Sequence, residues 1–93
     1  MNSSEYNRDS SAIDELHLRH LTLDEALPKL DKYLHDAFMN NLRQVRIVHG
    51  KGTGTLRLTV RRELARHSLV KSYRPGGYRE GGEGVTVVEM ADK

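Results

Sequence analysis

No cysteine occurs in the sequence, which excludes a disulfide framework and thiolate chemistry and leaves any zinc site to histidines and carboxylates. No apolar run approaches the ~20 residues that cross a bilayer, and the opening MNSSEYNRDSS lacks the apolar stretch of an export signal. The chain therefore reads as soluble, unexported and cytoplasmic. Tryptophan is missing, and the aromatic residues are four Tyr and one Phe. At 93 residues there is room for one core and no second domain.

Acidic residues are nearly absent from the middle of the chain. Residues 43–79 hold ten basic side chains against Glu63 alone, a net +9, whereas residues 1–42 carry a net −4 and residues 80–93 a net −3. A basic block of this kind points to a polyanionic partner. The bland alternative is a solvated basic face balanced by acidic neighbours in space.

What is present is an α/β pattern. Residues 1–11 are polar and read as a disordered tail, with one domain over residues 12–91. A first strand is predicted at residues 15–19, with Leu16 and Leu18 on one face and His17 and Arg19 on the other. Thr22-Leu23-Asp24-Glu25 is a capping-box sequence. An apolar stripe from Leu23 to Phe38 follows at helical spacing and continues through Pro28, which should kink it. Residues 44–49 read as a second strand and residues 55–67 as a second helix, with Arg57, Arg61 and Arg62 turned outward. A third strand is predicted at residues 69–73, a long flexible loop at residues 74–84 and a last strand at residues 85–90. This order predicts a two-layer sandwich: a four-stranded mixed sheet with two helices on one face, parallel core strands and an antiparallel last strand.

Between the second strand and the second helix runs Val48-His49-Gly50-Lys51-Gly52-Thr53-Gly54. A helix N-terminus presents free N–H groups and partial positive charge, glycines let an anion come close, and Lys51 adds a mobile charge. The spacing is not that of a P-loop, and G-x-G-x-G lacks the last interval of the dinucleotide fingerprint. A nucleotide-dependent enzyme is therefore disfavoured. Either the loop holds a phosphate, or its glycines only permit a tight turn. His20 and His49 both end at the carboxyl edge of the sheet, where open α/β folds place ligands. His17, Arg19, His20, His49, Lys51 and Arg57 are expected to converge there, whereas His35 and His67 read as structural. Imidazole moves protons near neutral pH, so His49, with His17 or His20, is the candidate acid–base group.

Three blocks carry a family resemblance. Leu16-His17-Leu18-Arg19-His20, then His49-Gly50-Lys51-Gly52-Thr53-Gly54 with Leu56-Arg57, then Gly81-Gly82-Glu83-Gly84-Val85-Thr86-Val87 follow one another at suitable intervals. Together they resemble the small MutS-related (Smr) domain, most closely the form that ends type-two bacterial MutS-like proteins. The resemblance spans roughly residues 16–90. It implies a fold like the C-terminal domain of translation initiation factor three, and nucleic-acid binding with endonuclease activity on DNA or RNA. For the parent protein it implies recombination suppression or action on stalled ribosomes. Two departures stand out: the family's first block has an acidic residue where His17 stands and a glycine where His20 stands.

As a nuclease, the chain would hold the scissile phosphate with the Gly50–Gly54 amides, Lys51, Thr53 and Arg57, with Arg19, Arg74 and Gly82 adding to the nucleic-acid surface. His49 would be the acid or base, with His17 or His20 as partner. RNA supplies its own 2′-hydroxyl nucleophile, whereas DNA cleavage calls for activated water and a divalent metal such as magnesium or manganese. As a binding module without chemistry, the same face would grip branched DNA, RNA or the ribosome while a larger partner acts. With so few aromatic residues, recognition is expected through backbone and shape rather than base stacking.

Overall fold

In the computed structural model, which describes residues 14–93, the chain runs β1 (Glu15–His17), α1 (Leu23–Met39), β2 (Gln44–Val48), α2 (Thr55–Arg66), β3 (Val70–Pro75) and β4 (Val85–Met90). The tail read at residues 1–11 lies outside the described residues. Helix α1 starts as its sequence dictates. Thr22 Oγ1 accepts from the Glu25 amide at 3.2 Å, and Glu25 Oε1 accepts from the Thr22 amide at 2.9 Å. Pro28 does not end the helix. The acceptor it leaves without a helical partner is the Asp24 carbonyl, and Asp24 and Pro28 are both exposed, so water can serve that carbonyl.

The sheet order is β1-β2-β4-β3. Strands β1 and β2 are parallel, as expected, but β4 inserts between β2 and β3 and runs antiparallel to both. The core strands are therefore not all parallel neighbours. Side-chain chemistry explains the placement. Val85 to Val88 are all buried, which suits a central strand, whereas β3 is largely exposed and ends in Pro75, which is tolerated at an edge. Val45, Ile47, Thr86, Val88 and Met90 share the face covered by the helices, where Ala26, Leu30, Leu34, Ala37, Val60 and Leu64 complete the core.

Three expectations need correction. Strand β1 stops at His17, because Arg19 and His20 form a turn, and His20 has a left-handed φ of 71°. Strand β3 extends to Pro75 rather than ending at residue 73. The segment 74–84 is not an open flexible loop: it folds into two short 3-10 turns, Tyr78–Glu80 and Gly82–Gly84. Arg74 fixes it by donating to Glu80 Oε1 at 2.6 Å and Oε2 at 2.9 Å, while the Gly77 amide donates to Oε1 at 2.8 Å. This pairing holds the Glu80 carboxyl down at about 2.

The helices are also tied to each other. His67 Nε2 donates to Asp31 Oδ1 at 2.9 Å, while His67 Nδ1 accepts from the Leu69 amide at 3.2 Å. His35 Nδ1 donates to the Asp31 carbonyl at 2.9 Å. Both histidines are structural here, as their sequence context suggests.

Candidate phosphate-binding site

The segment from His49 to Gly54 forms a ridge at the carboxyl end of β2. Gly50 has φ +81° and Gly54, the N-cap of α2, has φ +89°, so both positions favour glycine. Three amides of the segment are already used. The Gly84 carbonyl accepts from His49 N at 3.1 Å and Gly50 N at 2.9 Å, which welds the loop to the second glycine turn, and Gly54 N donates to the Lys51 carbonyl at 3.0 Å. The expectation that all five amides from Gly50 to Gly54 face a ligand is thus narrowed. Among the described residues, the Lys51, Gly52 and Thr53 amides have no intramolecular acceptor, and neither do Leu56 and Arg57 in the first turn of α2. That turn carries no acidic residue and no side-chain cap, so its dipole is unanswered.

Two clefts flank the ridge. One, of about 330 Å³, is lined by His20, Leu23, His49 and residues 50–56. The other, of about 400 Å³, is lined by Arg19, Val48, Gly50, Lys51, Gly52, Gly81, Gly84 and Val85. The expected convergence is therefore only partly realised. His20 and His49 share one cleft, and Arg19 and Lys51 share the other. His17 lines neither. Alternation along β1 turns it to the open face of the sheet, where its Nε2 lies 3.3 Å from Glu15. Arg74 is committed to Glu80, and Gly82 lines neither cleft. Arg57 sits in the first turn of α2, 3.7 Å from Glu83.

His49 is only 4% exposed, and both ring nitrogens are engaged. Its Nδ1 lies 2.8 Å from the Gly50 carbonyl, which can only accept, so Nδ1 carries the proton. Its Nε2 lies 2.8 Å from Thr86 Oγ1, and that hydroxyl in turn accepts from Arg61 Nε at 3.1 Å. The hydroxyl proton therefore points at Nε2, and the chain Arg61–Thr86–His49–Gly50 closes around a neutral imidazole. Burial, reinforced by the charges of Arg61 and Arg57 and opposed by the Gly50 carbonyl, holds its pKa below the ordinary imidazole value.

Thr86 and Arg61 were not legible as site residues. Arg61, expected outward, turns inward to the Thr86 hydroxyl on the sheet face that the helices cover. The one available signal is Thr86, the lone polar residue on a strand face it shares with Val88 and Met90. For a cation, the group of potential ligands found among the described residues is Asp31, His35 and His67. Two of these lie on α1 and the third caps the end of α2 opposite the glycine loop, so the cluster does not belong to this site.

Comparison with known proteins identifies the family and agrees with the fold. The Smr domain family matches residues 16–91. A protein named Endonuclease MutS2 from Caldicellulosiruptor saccharolyticus is 52% identical over 85 residues, covering 91% of this chain and 11% of the relative. One of the same name from Clostridium beijerinckii is 56% identical over 81 residues, covering 87% of this chain and 10% of the relative. The chain thus spans about a tenth of the length of these relatives. The crystal structure of the Smr domain of Thermus thermophilus MutS2 superposes with a TM-score of 0.83 at 42% identity, over 86% of this chain and all of that one. YdaL, a stand-alone small MutS-related protein from Escherichia coli, gives a TM-score of 0.80 at 26% identity, over 84% of this chain and 64% of that one.

Proposed function

The chain belongs to the Smr domain family, and from that premise we propose that it is a nucleic-acid-binding domain with endonuclease activity, acting as part of a larger cytoplasmic MutS2-like protein. The observation that carries this reading is the row of unengaged amides at Lys51, Gly52 and Thr53, set beside Lys51 and the bare N-terminus of α2. Together they form a pre-organised cradle for a phosphate and for the extra charge it gains when attacked. Arg19 supports a neighbouring phosphate.

His49 acts here through position. It is neutral, and both its nitrogens are held, so it fixes the carbonyl of Gly50 and hence the ridge. His20 is exposed in the same cleft and is the imidazole with free access to a bound strand. With RNA, His20 takes the proton of a 2′-hydroxyl as that oxygen attacks the adjacent phosphorus. The 5′-oxygen leaves with a proton from water, and a 2′,3′-cyclic phosphate remains. With DNA, water would have to take the place of the 2′-hydroxyl, and a divalent metal would supply its activation, but among the described residues no grouped ligands stand at this site to hold one.

The second reading, a grip without chemistry, is favoured by one specific observation: the engaged, low-pKa ring of His49. A single assay separates the two. Wild type, His20→Ala and Lys51→Ala are incubated with labelled single-stranded RNA and with supercoiled plasmid, in EDTA or in added magnesium or manganese, with binding measured on the same samples. Cleavage lost in His20→Ala with binding retained supports the nuclease with His20 as its acid–base group. Cleavage retained in His20→Ala removes that role, and binding without cleavage in every condition contradicts the nuclease.

A further inference from the structure

The larger cleft beside the ridge is built differently from a phosphate site. Its floor is the paired side chains of Val48 and Val85 on the open face of the sheet. Glycine backbone lines it at Gly50, Gly52, Gly81 and Gly84, with Gly50 and Gly84 joined where the Gly50 amide donates to the Gly84 carbonyl at 2.9 Å, and the side chains of Arg19 and Lys51 complete the lining. Arg19 packs against Gly50, and a β-carbon there would lie 3.2 Å from Arg19 Cγ. At about 400 Å³ the cleft falls at the small end of ligand pockets. An apolar floor edged by glycine backbone, with no side chains there to block approach, offers a face to a planar ring, and the Arg19 guanidinium can lie on such a ring.

A second observation lies on the turn that leads into Gly81. Tyr78 is 98% exposed, the most exposed large apolar side chain among the described residues. It does not hang on a slack loop. The Arg74–Glu80 pair and the Gly82 amide, donating to the Gly77 carbonyl at 3.0 Å, hold both ends of its turn. Its turn runs into the Gly81–Gly84 segment that bonds the ridge, and single-strand binders use exposed aromatics of this kind as stacking platforms.

We infer that the Val48–Val85 slot, together with Tyr78, is a subsite for an unpaired nucleobase belonging to the strand whose phosphate rests on the Lys51–Thr53 ridge. The inference rests on the phosphate-cradle reading above and deepens it, because the slot selects single-stranded or splayed nucleic acid over intact duplex. A base inside a duplex cannot leave its stack to enter without an unpairing cost. This departs from the sequence expectation of recognition through backbone and shape rather than base stacking, since one Tyr suffices for one base.

The test uses fluorescence anisotropy with three probes of equal length: a mixed-sequence single strand, its duplex, and a strand of the same phosphates with abasic spacers. Wild type is expected to bind the single strand about tenfold more tightly than the abasic strand, the scale of one stacked base. Tyr78→Ala and, separately, Val48→Met, which fills the slot, are expected to bring the single strand down toward the abasic affinity. Neither change should alter abasic binding, and Tyr78→Phe should restore the preference. Equal affinity of wild type for the based and abasic strands overturns the slot while leaving the phosphate cradle standing. Equal losses on both probes in Tyr78→Ala also overturn it. No binding of any probe overturns the cradle and the slot together.

Discussion

At the scale of single residues, His49 and Thr86 carry the site. The hydroxyl of Thr86 is fully buried and serves both His49 Nε2 and Arg61 Nε. Thr86→Val keeps the shape but leaves two polar atoms without a partner, at a cost of about 1–3 kcal/mol. Urea unfolding is the check, with Thr86→Ser expected to recover most of the loss. The pH dependence follows from the lowered pKa of His49. The unfolded chain takes up a proton near pH 6.5 and the folded chain resists it, so this contribution is complete above that value and is lost as pH falls toward the lowered folded value. Melting temperature should fall from pH 7 to pH 5, and by less in His49→Gln. His20 presents the opposite case, a non-glycine residue at φ 71° where the resembled family has glycine. Relief of left-handed strain by glycine outweighs the added freedom of the unfolded chain, so His20→Gly should stabilise by about 0.5–1 kcal/mol. A melting shift downward would contradict that assignment of strain.

At the scale of elements, the two helices begin in opposite ways. Helix α1 satisfies itself with a capping box and the acidic first-turn residues Asp24 and Glu25. Helix α2 begins on Gly54 with neither device. A bare N-terminus costs stability unless an anion arrives, so Thr55→Glu should separate fold from function. The new charge is expected to raise stability by about 0.3–1 kcal/mol through the helix dipole. The same charge should weaken binding of a nucleic-acid strand severalfold in an anisotropy titration. Capping, apolar spacing and the glycine loop were legible in the sequence because each is a local pattern. The central place of β4 was not, since pairing order depends on which strand can be buried on both faces. The bracing of residues 74–84 was hidden for a related reason. Five glycines and a proline read as slackness, while the pair that removes it, Arg74 and Glu80, is visible only once the chain has turned back on itself. The convergence of His17 with His49 failed on simple alternation, which sends neighbours on a strand to opposite faces.

At the scale of the whole molecule, the basic block is smaller than the sequence suggests. Arg46, Arg57, Arg66 and Arg74 pair with Glu15, Glu83, Glu63 and Glu80. Arg43 and Lys71 lie at the opposite end, around a cleft shared with Phe38, Glu89 and Asp92. Of the basic residues in the block, Lys51 stands on the ridge and lines both of its clefts. A footprint of three to five phosphates gives log affinity against log salt a slope of about −2 to −4. A slope near about −7 would mean that the entire block of ten engages the strand. The central claim is more local than any slope, and amide-resolved NMR reaches it directly. A 15N-labelled chain would be titrated with a short single-stranded oligonucleotide. The largest amide shifts are expected at Lys51, Gly52, Thr53, Leu56 and Arg57, with much smaller ones at Gly50 and Gly54, whose N–H groups are already bonded. Shifts concentrated around Arg43, Lys71 and Lys93, with the loop unmoved, would contradict the phosphate cradle.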